Sequence, residues 1–418
     1  MKLAVVGAGS TYTPELVDGL IRMQELLPVT ELALIDTDER RLEILTGMSR
    51  RMLERGGHPV RIVPTARLEE GVEGAAAVLI QLRVGGQAAR MVDESLPLAC
   101  GCIGQETTGF GGLAKALRTV PVVLDIAERV RALAPDTWIV DFTNPVGIVT
   151  KALLDAEHKA VGLCSAAMVF QRHFAKVLDV APDSVELDHV GLNHLTWELA
   201  VRVEGQDVLP ALTSEHVDRV APATGLDADL VRRLGVVPSY YLHYFYDHDE
   251  LVEHHKTHES RAEEVHGIEQ ELLHLYEDES VDEKPELLSR RGGAFYSDAA
   301  VELLASLLGT SSNHRHVVNV RNRGTLSFLP DNAVVEVPAR VDTGGVVPLE
   351  MPELDAVARG LVSHVSAYED LALDAALHGG RERVFRALLA HPLIGQHRQA
   401  ETLTDLMIDA NRQYLAWA

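Results

Sequence analysis

Two glycines, Gly7 and Gly9, stand between a short apolar run, Leu3 to Val6, and a helix start at Thr13-Pro14, with an acid, Asp36, closing the next apolar run. Glycines there let the backbone approach a pyrophosphate at a helix N-terminus, and the acid can bind an adenosine ribose hydroxyl. An acid in that place favours NAD over NADP, because a 2′-phosphate would meet a like charge. The third glycine of the usual fingerprint is Tyr12 here, so a structural tight turn is the rival reading. A second signal is Cys164 and His194, each just after Gly-Leu or Gly-Leu-Asn. Cys and His could hold a borderline divalent ion with positions open to substrate oxygens, or could be a small core residue and a structural imidazole. The third is the run Tyr240-Tyr241-Leu-His-Tyr244-Phe-Tyr246 in a chain only 5% aromatic. It reads either as an aromatic helix on the core or as the source of a tyrosinate base, whose phenol a cation or metal would have to pull down. Arg90, Glu106 and Arg261 lie in polar segments, the first two beside glycine-rich turns. Each could be a structural ion pair; two arginines on an anionic ligand would form a charge-assisted clamp.

The elements that must position these groups alternate. Strands are expected at Leu3 to Val6, Glu31 to Ile35, Ala75 to Leu82, Thr137 to Phe142 and Ala160 to Cys164, with helices from Thr13, with a polar cap before Pro14, and over Pro121 to Ala134. Short, nearly continuous apolar strands between helices mean a parallel sheet covered on both faces. Loops at the carboxyl edge of such a sheet carry ligands, and Cys164 and His194 are each expected there. After about residue 165 the pattern loosens. Helices are expected over Met168 to Leu178, Glu259 to Tyr276, Ser297 to Leu308 and Met351 to Leu377, and an antiparallel sheet over Val317 to Val346. The reading is therefore an α/β chain with an N-terminal Rossmann-type doubly wound domain, 1–165, and a C-terminal mixed α/β domain, 166–418.

Composition bounds the partners. The 418 residues are 46% hydrophobic and 24% charged, which is ordinary for a folded chain. A formal charge of −24 repels nucleic acid and anionic membrane at long range, so neither is expected as a partner. It leaves room for an anionic small molecule held by a local arginine cluster. No run of about 20 apolar residues occurs, so no transmembrane helix is expected. Three cysteines, Cys100, Cys102 and Cys164, do not make a disulfide framework, and a reducing cytoplasm is the simplest setting.

In series, these stretches resemble glycoside hydrolase family 4, the NAD- and divalent-metal-dependent 6-phosphoglycosidases. The resemblance rests on Val5-Val-Gly-Ala-Gly-Ser, Leu82-Arg-Val-Gly-Gly, Ile103-Gly-Gln-Glu-Thr-Thr-Gly, Lys115-Ala-Leu-Arg-Thr-Val-Pro, Asp141-Phe-Thr-Asn-Pro and Gly162-Leu-Cys. It continues through Gly191-Leu-Asn-His-Leu, Tyr241-Leu-x-Tyr, Ser260-Arg-Ala-Glu-Glu-Val, Arg291-Gly-Gly-Ala and Leu329-Pro-Asp-Asn-Ala-Val-Val-Glu-Val-Pro. This family is an exception to two-carboxylate glycoside hydrolysis. The resemblance implies NAD on Gly7, Gly9, Ser10, Asp36 and Arg83, and a divalent metal, Mn2+ by preference, on Cys164 and His194. It implies Tyr241 as the base at sugar C2, with Glu106 assisting its basicity, and Arg90, Asn144 and Arg261 on the substrate. The chemistry implied is redox-elimination: oxidation at C3, proton loss at C2, departure of the aglycone, addition of water and return of the hydride. The pattern is closest to the 6-phospho-β-glucosidase branch, and implies a phosphorylated glycoside as small-molecule substrate and a homodimer or homotetramer.

Ser165-Ala166-Ala167 departs from the Asn-Val-Pro that β-acting members carry after the metal cysteine. Ser260 stands where a leaving-group acid would be useful, and Glu259 is the candidate beside it. Two rivals keep the fold but change the function. A sugar or hydroxy-acid dehydrogenase would consume NAD stoichiometrically, and a catalytically silent sensor would bind without turnover.

Overall fold

The computed structural model describes residues 1–293 and 295–418, so Ala294 of the Arg291-Gly-Gly-Ala stretch lies outside the described residues. The chain opens with β1 (Lys2–Val6), α1 (Thr13–Arg22), β2 (Glu31–Ile35), α2 (Glu39–Arg55), β3 (Arg61–Thr65), α3 (Leu68–Val72) and β4 (Ala77–Ile80). It continues through α4 (Gly86–Ser95), α5 (Gly109–Leu133), β5 (Trp138–Asp141), α6 (Val146–Asp155), β6 (Ala160–Gly162) and α7 (Ala166–Leu178). These strands pair in parallel in the order β3-β2-β1-β4-β5-β6. Helices cover the sheet in two layers, α1 with α2, and α3 with α5 and α6. With both faces covered, β4 and β5 have no exposed residue, which is why they read as unbroken apolar runs.

The sheet does not stop there. Beyond β6 it runs on through β11 (Arg315–Arg321), β12 (Val334–Asp342), β7 (Val185–Leu192), β8 (Leu195–Val203) and β10 (Val237–Pro238), all antiparallel. Two short strands, β9 (Gln206–Asp207) and β13 (Gly345–Pro348), pair with β8 and β12 to complete 13 strands. The antiparallel expectation over Val317 to Val346 therefore holds, and the architecture is a Rossmann-type sheet extended into a mixed α/β half. The junctions are narrow. β6 meets β11 only through Gly162 and Asn319, and β12 meets β7 only through Gly191 and Glu336.

Two local expectations need correction. The helix expected from Pro121 begins at Gly109, because every residue from Gly109 to Val120 is buried and tertiary packing outweighs the poor propensity of three glycines. Pro121 sits inside that helix on an exposed position. The cap of α1 is Tyr12, without a side-chain cap bond; the Thr13 hydroxyl donates instead to the Ala8 carbonyl, bracing the turn. His194 follows an apolar strand, as expected, and lies in the two-residue turn of the β7–β8 hairpin.

Ion pairs tie the later helices to this frame. Arg118 on α5 grips Asp93 of α4 with both terminal nitrogens, at 3.0 and 2.6 Å, and also bonds Asn411 of the helix His397–Asn411. Arg22 of α1 and Arg172 of α7 share Asp298, at 2.6 and 2.7 Å, on the helix Tyr296–Leu307. Both members of the Arg118–Asp93 pair are buried, so removing one leaves a bare charge in the core. Arg118→Met is expected to lower stability by about 3–5 kcal/mol, measured by denaturant unfolding. A second test uses Glu369, buried against Gly147 at the start of α6, whose carboxyl is pushed up to about 8 by burial and by Asp370. The folded chain holds that proton above the ordinary carboxylate range while the unfolded chain releases it. Its contribution therefore weakens as pH rises from about 4.5 to about 8. Glu369→Gln should gain on the parent chain over that window in unfolding curves at pH 5 and pH 8.

Candidate active site

One cavity of about 1190 Å³ opens along the carboxyl edge of the parallel strands, and every expected site residue lines it: Gly7, Gly9, Ser10, Asp36, Arg83, Arg90, Glu106, Asn144, Cys164, His194, Tyr241 and Arg261. Strand ends and the helix starts beside them converge on this edge, the usual place for ligands in an open α/β sheet.

At one end sits the glycine turn. Gly7 has φ +89°, and a Cβ there would come within 2.8 Å of the Leu82 backbone; at Gly9 it would meet the Asp36 carboxylate at 2.8 Å. Both positions need glycine for want of space. The Asp36 carboxylate accepts from the Gly9 N–H at 2.7 Å and the Asp38 N–H at 2.9 Å, which fixes its orientation at the rim. A carboxylate has lone pairs to spare after two such bonds, so it can still take ribose hydroxyls. Arg41 closes the turn from outside, donating to the Gly9 carbonyl at 2.7 Å.

In the middle lies Glu106, a half-buried carboxylate on the cavity wall. Arg83 from the end of β4 donates to it, Lys115 of α5 donates at 3.0 Å, and Arg90 of α4 stands at 3.4 Å. Burial opposes its charge, but Arg83, Lys115 and Arg90 outweigh burial and hold the carboxyl well below the usual range. Burial and the neighbouring Arg83 push the Lys115 ammonium down to about 7. Glu94, one helical turn after Arg90, takes the Arg90 Nε at 2.7 Å and, with its other oxygen, the Ala262 N–H at 2.8 Å. It thereby ties Arg90 to the start of the helix Arg261–Glu277. The terminal nitrogens of Arg90 make no bond among the described residues. Arg261, at the first position of its helix, donates to Glu264 and to the Arg290 carbonyl at 2.7 Å.

The far end combines Asn144, Cys164, His194 and Tyr241. Asn144 follows β5, and its buried Oδ1 has no partner among the described residues, an acceptor awaiting a donor from a ligand. Cys164 follows β6 just before α7. Burial and the charge of Glu336 push its thiol up, while the N–H groups of Ala166 and Ser165 and the Asn193 side chain favour its thiolate. His194 sits in the left-handed region, φ +62°, unusual for a residue with a side chain. Its protonation follows from its neighbours. Gln105 Oε1 accepts from the Thr107 N–H, at 2.5 Å, and the Thr108 N–H, so the atom facing them is oxygen. The Thr107 hydroxyl then gives its one proton to that oxygen, at 2.7 Å, and can only accept from His194 Nδ1, at 2.8 Å. Burial holds the imidazole down to about 4, so it is neutral, with its proton on Nδ1 and its Nε2 lone pair free. A half-buried thiol and a neutral imidazole are the donors a borderline divalent cation needs.

Tyr241 stacks on that imidazole, ring centroids 3.6 Å apart and 13° between planes. It lies in a 3-10 turn, Tyr240–Leu242, rather than in an aromatic helix packed on the core, although Leu242 of the same turn is buried. Burial and the neighbouring Tyr240 and Cys164 push its phenol well up. Among the described residues no cation counters that, so a base at this position depends on a bound positive charge.

Sequence reasoning missed Lys115, Glu94, Glu269 and Arg291 as parts of this wall. The four-residue spacing of Arg90 and Glu94 was a usable helical signal. Nothing local announced Glu269, which takes Arg291 at 2.8 Å and Gln87 at 3.0 Å across the cavity. Glu259 is exposed and outside the lining, and Ser260 is occupied as a helix cap, its hydroxyl and N–H paired with Glu263.

Comparison with known proteins adds a full-length match. Family models described as family 4 glycosyl hydrolase and family 4 glycosyl hydrolase C-terminal domain match residues 2–180 and 189–394. A Bacillus subtilis (strain 168) protein named "Probable 6-phospho-beta-glucosidase" is 38% identical over 99% of this chain and 97% of its own. The 6-phospho-β-glucosidase BglT of Thermotoga maritima is 36% identical over 99% of both chains. A solved structure of the Thermotoga maritima 6-phospho-β-glucosidase with manganese, NAD+ and glucose-6-phosphate superposes with a TM-score of 0.91, at 34% identity over 99% of both chains. The geometry itself yields a test. Glu94→Gln keeps the shape but weakens two charge-assisted bonds, and should cost about 1–3 kcal/mol in urea unfolding.

Proposed function

The chain belongs to family 4 of the glycosyl hydrolases, and on that premise we propose that it hydrolyses 6-phospho-β-glucosides by redox-elimination, with NAD and a divalent metal, Mn2+ by preference. The observation that carries this reading is the convergence of all its expected groups on one cavity, with a neutral His194 stacked on Tyr241. The residues fit both groups. The cradle at Gly7 and Gly9 has no room for side chains, and the Asn144 acceptor is unsatisfied, as expected of a site built around a polar ligand. When bound, NAD and the metal supply reversible hydride acceptance at sugar C3 and Lewis-acid polarisation of the neighbouring oxygens.

Gly7, Gly9, Ser10, Asp36 and Arg83 hold the dinucleotide, and Cys164 with His194 Nε2 hold the cation. Arg90, with its terminal nitrogens free, Asn144 and Arg261 bind the sugar, the arginines on its phosphate. The Tyr241 side chain, stacked on the His194 imidazole, takes the proton at C2 once its own phenol proton has been lost beside the bound cation. Glu106, which lines the same cavity, is the group assigned to assist that base. The sum is hydrolysis: glycoside and water in, 6-phosphosugar and alcohol out, with NAD regenerated.

The same reading includes a cytoplasmic homodimer or homotetramer, checked by light scattering. No helix among the described residues is long and apolar enough to cross a membrane. The decisive assay uses p-nitrophenyl β-glucoside 6-phosphate under reducing conditions, with and without NAD and Mn2+, in H2O and D2O. Release should require both additions, leave NADH absorbance unchanged at completion and place deuterium at C2. Tyr241→Phe should lose about 100-fold or more in kcat. Stoichiometric NADH without release would identify a dehydrogenase instead, and tight NAD binding without turnover on any phosphorylated glycone a sensor.

A further inference from the structure

Behind the Cys164–His194 pair, on the side away from the cavity, lies a buried polar cluster that takes no direct part in the chemistry above. His189 of β7 places Nδ1 2.6 Å from Glu198 Oε1 on β8 and Nε2 3.0 Å from Glu336 Oε1 on β12. A carboxylate only accepts, so both ring nitrogens must carry protons and the ring is an imidazolium. Burial alone would lower its pKa, but Glu198 and Glu336 hold it up to about 10. All three side chains are essentially inaccessible, each at 1% exposure or less.

The other oxygen of Glu336 accepts from Asn193 Nδ2 and Asn319 Nδ2, both at 2.7 Å. Asn193 is the neighbour of His194 in the hairpin turn, and its side chain favours the thiolate form of Cys164. Glu336 and Asn319 occupy the two narrow junctions of the sheet, opposite Gly191 and Gly162, which begin the stretches leading to His194 and Cys164. One carboxylate thus reaches both ligand-bearing loops. Two glutamates against one imidazolium also leave a net negative charge enclosed in protein, which is costly unless a cation lies nearby.

We infer that Glu336 is a positioning residue for the divalent-cation site, acting through Asn193 to orient Cys164 and His194 and to supply the charge that balances the ion. This rests on the assignment of Cys164 and His194 as the cation's ligands. Outer partners that orient metal ligands are typically worth 10–100-fold in metal affinity.

The test is an equilibrium titration of the NAD-loaded full-length chain with Mn2+, following free Mn2+ by electron paramagnetic resonance under reducing conditions. Glu336→Gln, which keeps the shape and loses the charge, should weaken Mn2+ binding 10–100-fold and leave NAD affinity within about twofold. Asn193→Ala, in a half-buried turn, should show the same selective loss. The double variant should be little worse than either single one, because both cut one path. Should Glu336→Gln fail to fold, Asn193→Ala decides by the same thresholds. Cys164→Ser separates the two assignments. If it abolishes Mn2+ binding while Glu336→Gln and Asn193→Ala bind as the parent does, the role of Glu336 is overturned and the metal assignment stands. If Cys164→Ser binds Mn2+ like the parent, the metal assignment falls and this inference with it. A parallel loss of NAD and Mn2+ affinity in Glu336→Gln would show a general loosening of the fold and also overturn the role.

Discussion

A single carboxylate organises the centre of this molecule. Glu106 lies in a loop between α4 and α5, and the positive groups of Arg83, Arg90 and Lys115 are gathered around it from three separate elements. Remove that charge and two arginines and a lysine would face one another with no carboxylate between them. The constraint is mutual, since the carboxylate is ionised only because they are there. It sets where the ends of β4, α4 and α5 lie relative to one another, and hence the shape of the cavity wall on which an anionic sugar would rest.

The rest of the site is built outward by hydrogen-bond logic. Glu94 passes the arrangement from Arg90 to the helix that carries Arg261. On the other side, Gln105 and Thr107, from the same loop as Glu106, fix the tautomer of His194. A loop of a few residues therefore controls both the cationic wall and one predicted metal ligand. Behind that ligand, the cluster of His189, Glu198 and Glu336 plays the corresponding part for the hairpin turn. Tyr241, whose phenol burial pushes up, fits the scheme because the imidazole stacked on it is one of the groups that would hold a cation.

The strand-turn-helix at the N-terminus was readable because its signals are local: an apolar run, glycines with no room for a Cβ, and an acid at the end of the next strand. The parallel strands were readable for the same reason, as burial on both faces forces unbroken apolar runs. Helix α5 was not, since its glycine-rich first turns look like loop until the neighbours that bury them are known. The strand before His194 was readable as a short apolar run, but the returning strand β8 was not, because an apolar segment of that length does not separate strand from helix by period alone.

Residue types and their order along the chain determined which groups could do chemistry and which family pattern they follow. Gly7, Gly9, Asp36, Cys164, His194 and Tyr241 were all legible, because such a list needs no distances. Tertiary structure alone decided their condition: Glu106 ionised, His194 neutral with its proton on Nδ1, Arg90 half occupied by Glu94, and Glu336 enclosed behind the cysteine and histidine. Charge state and tautomer depend on burial and on partners far apart in sequence. Those partners meet only when thirteen strands close into one sheet and bring the loops at its edge together.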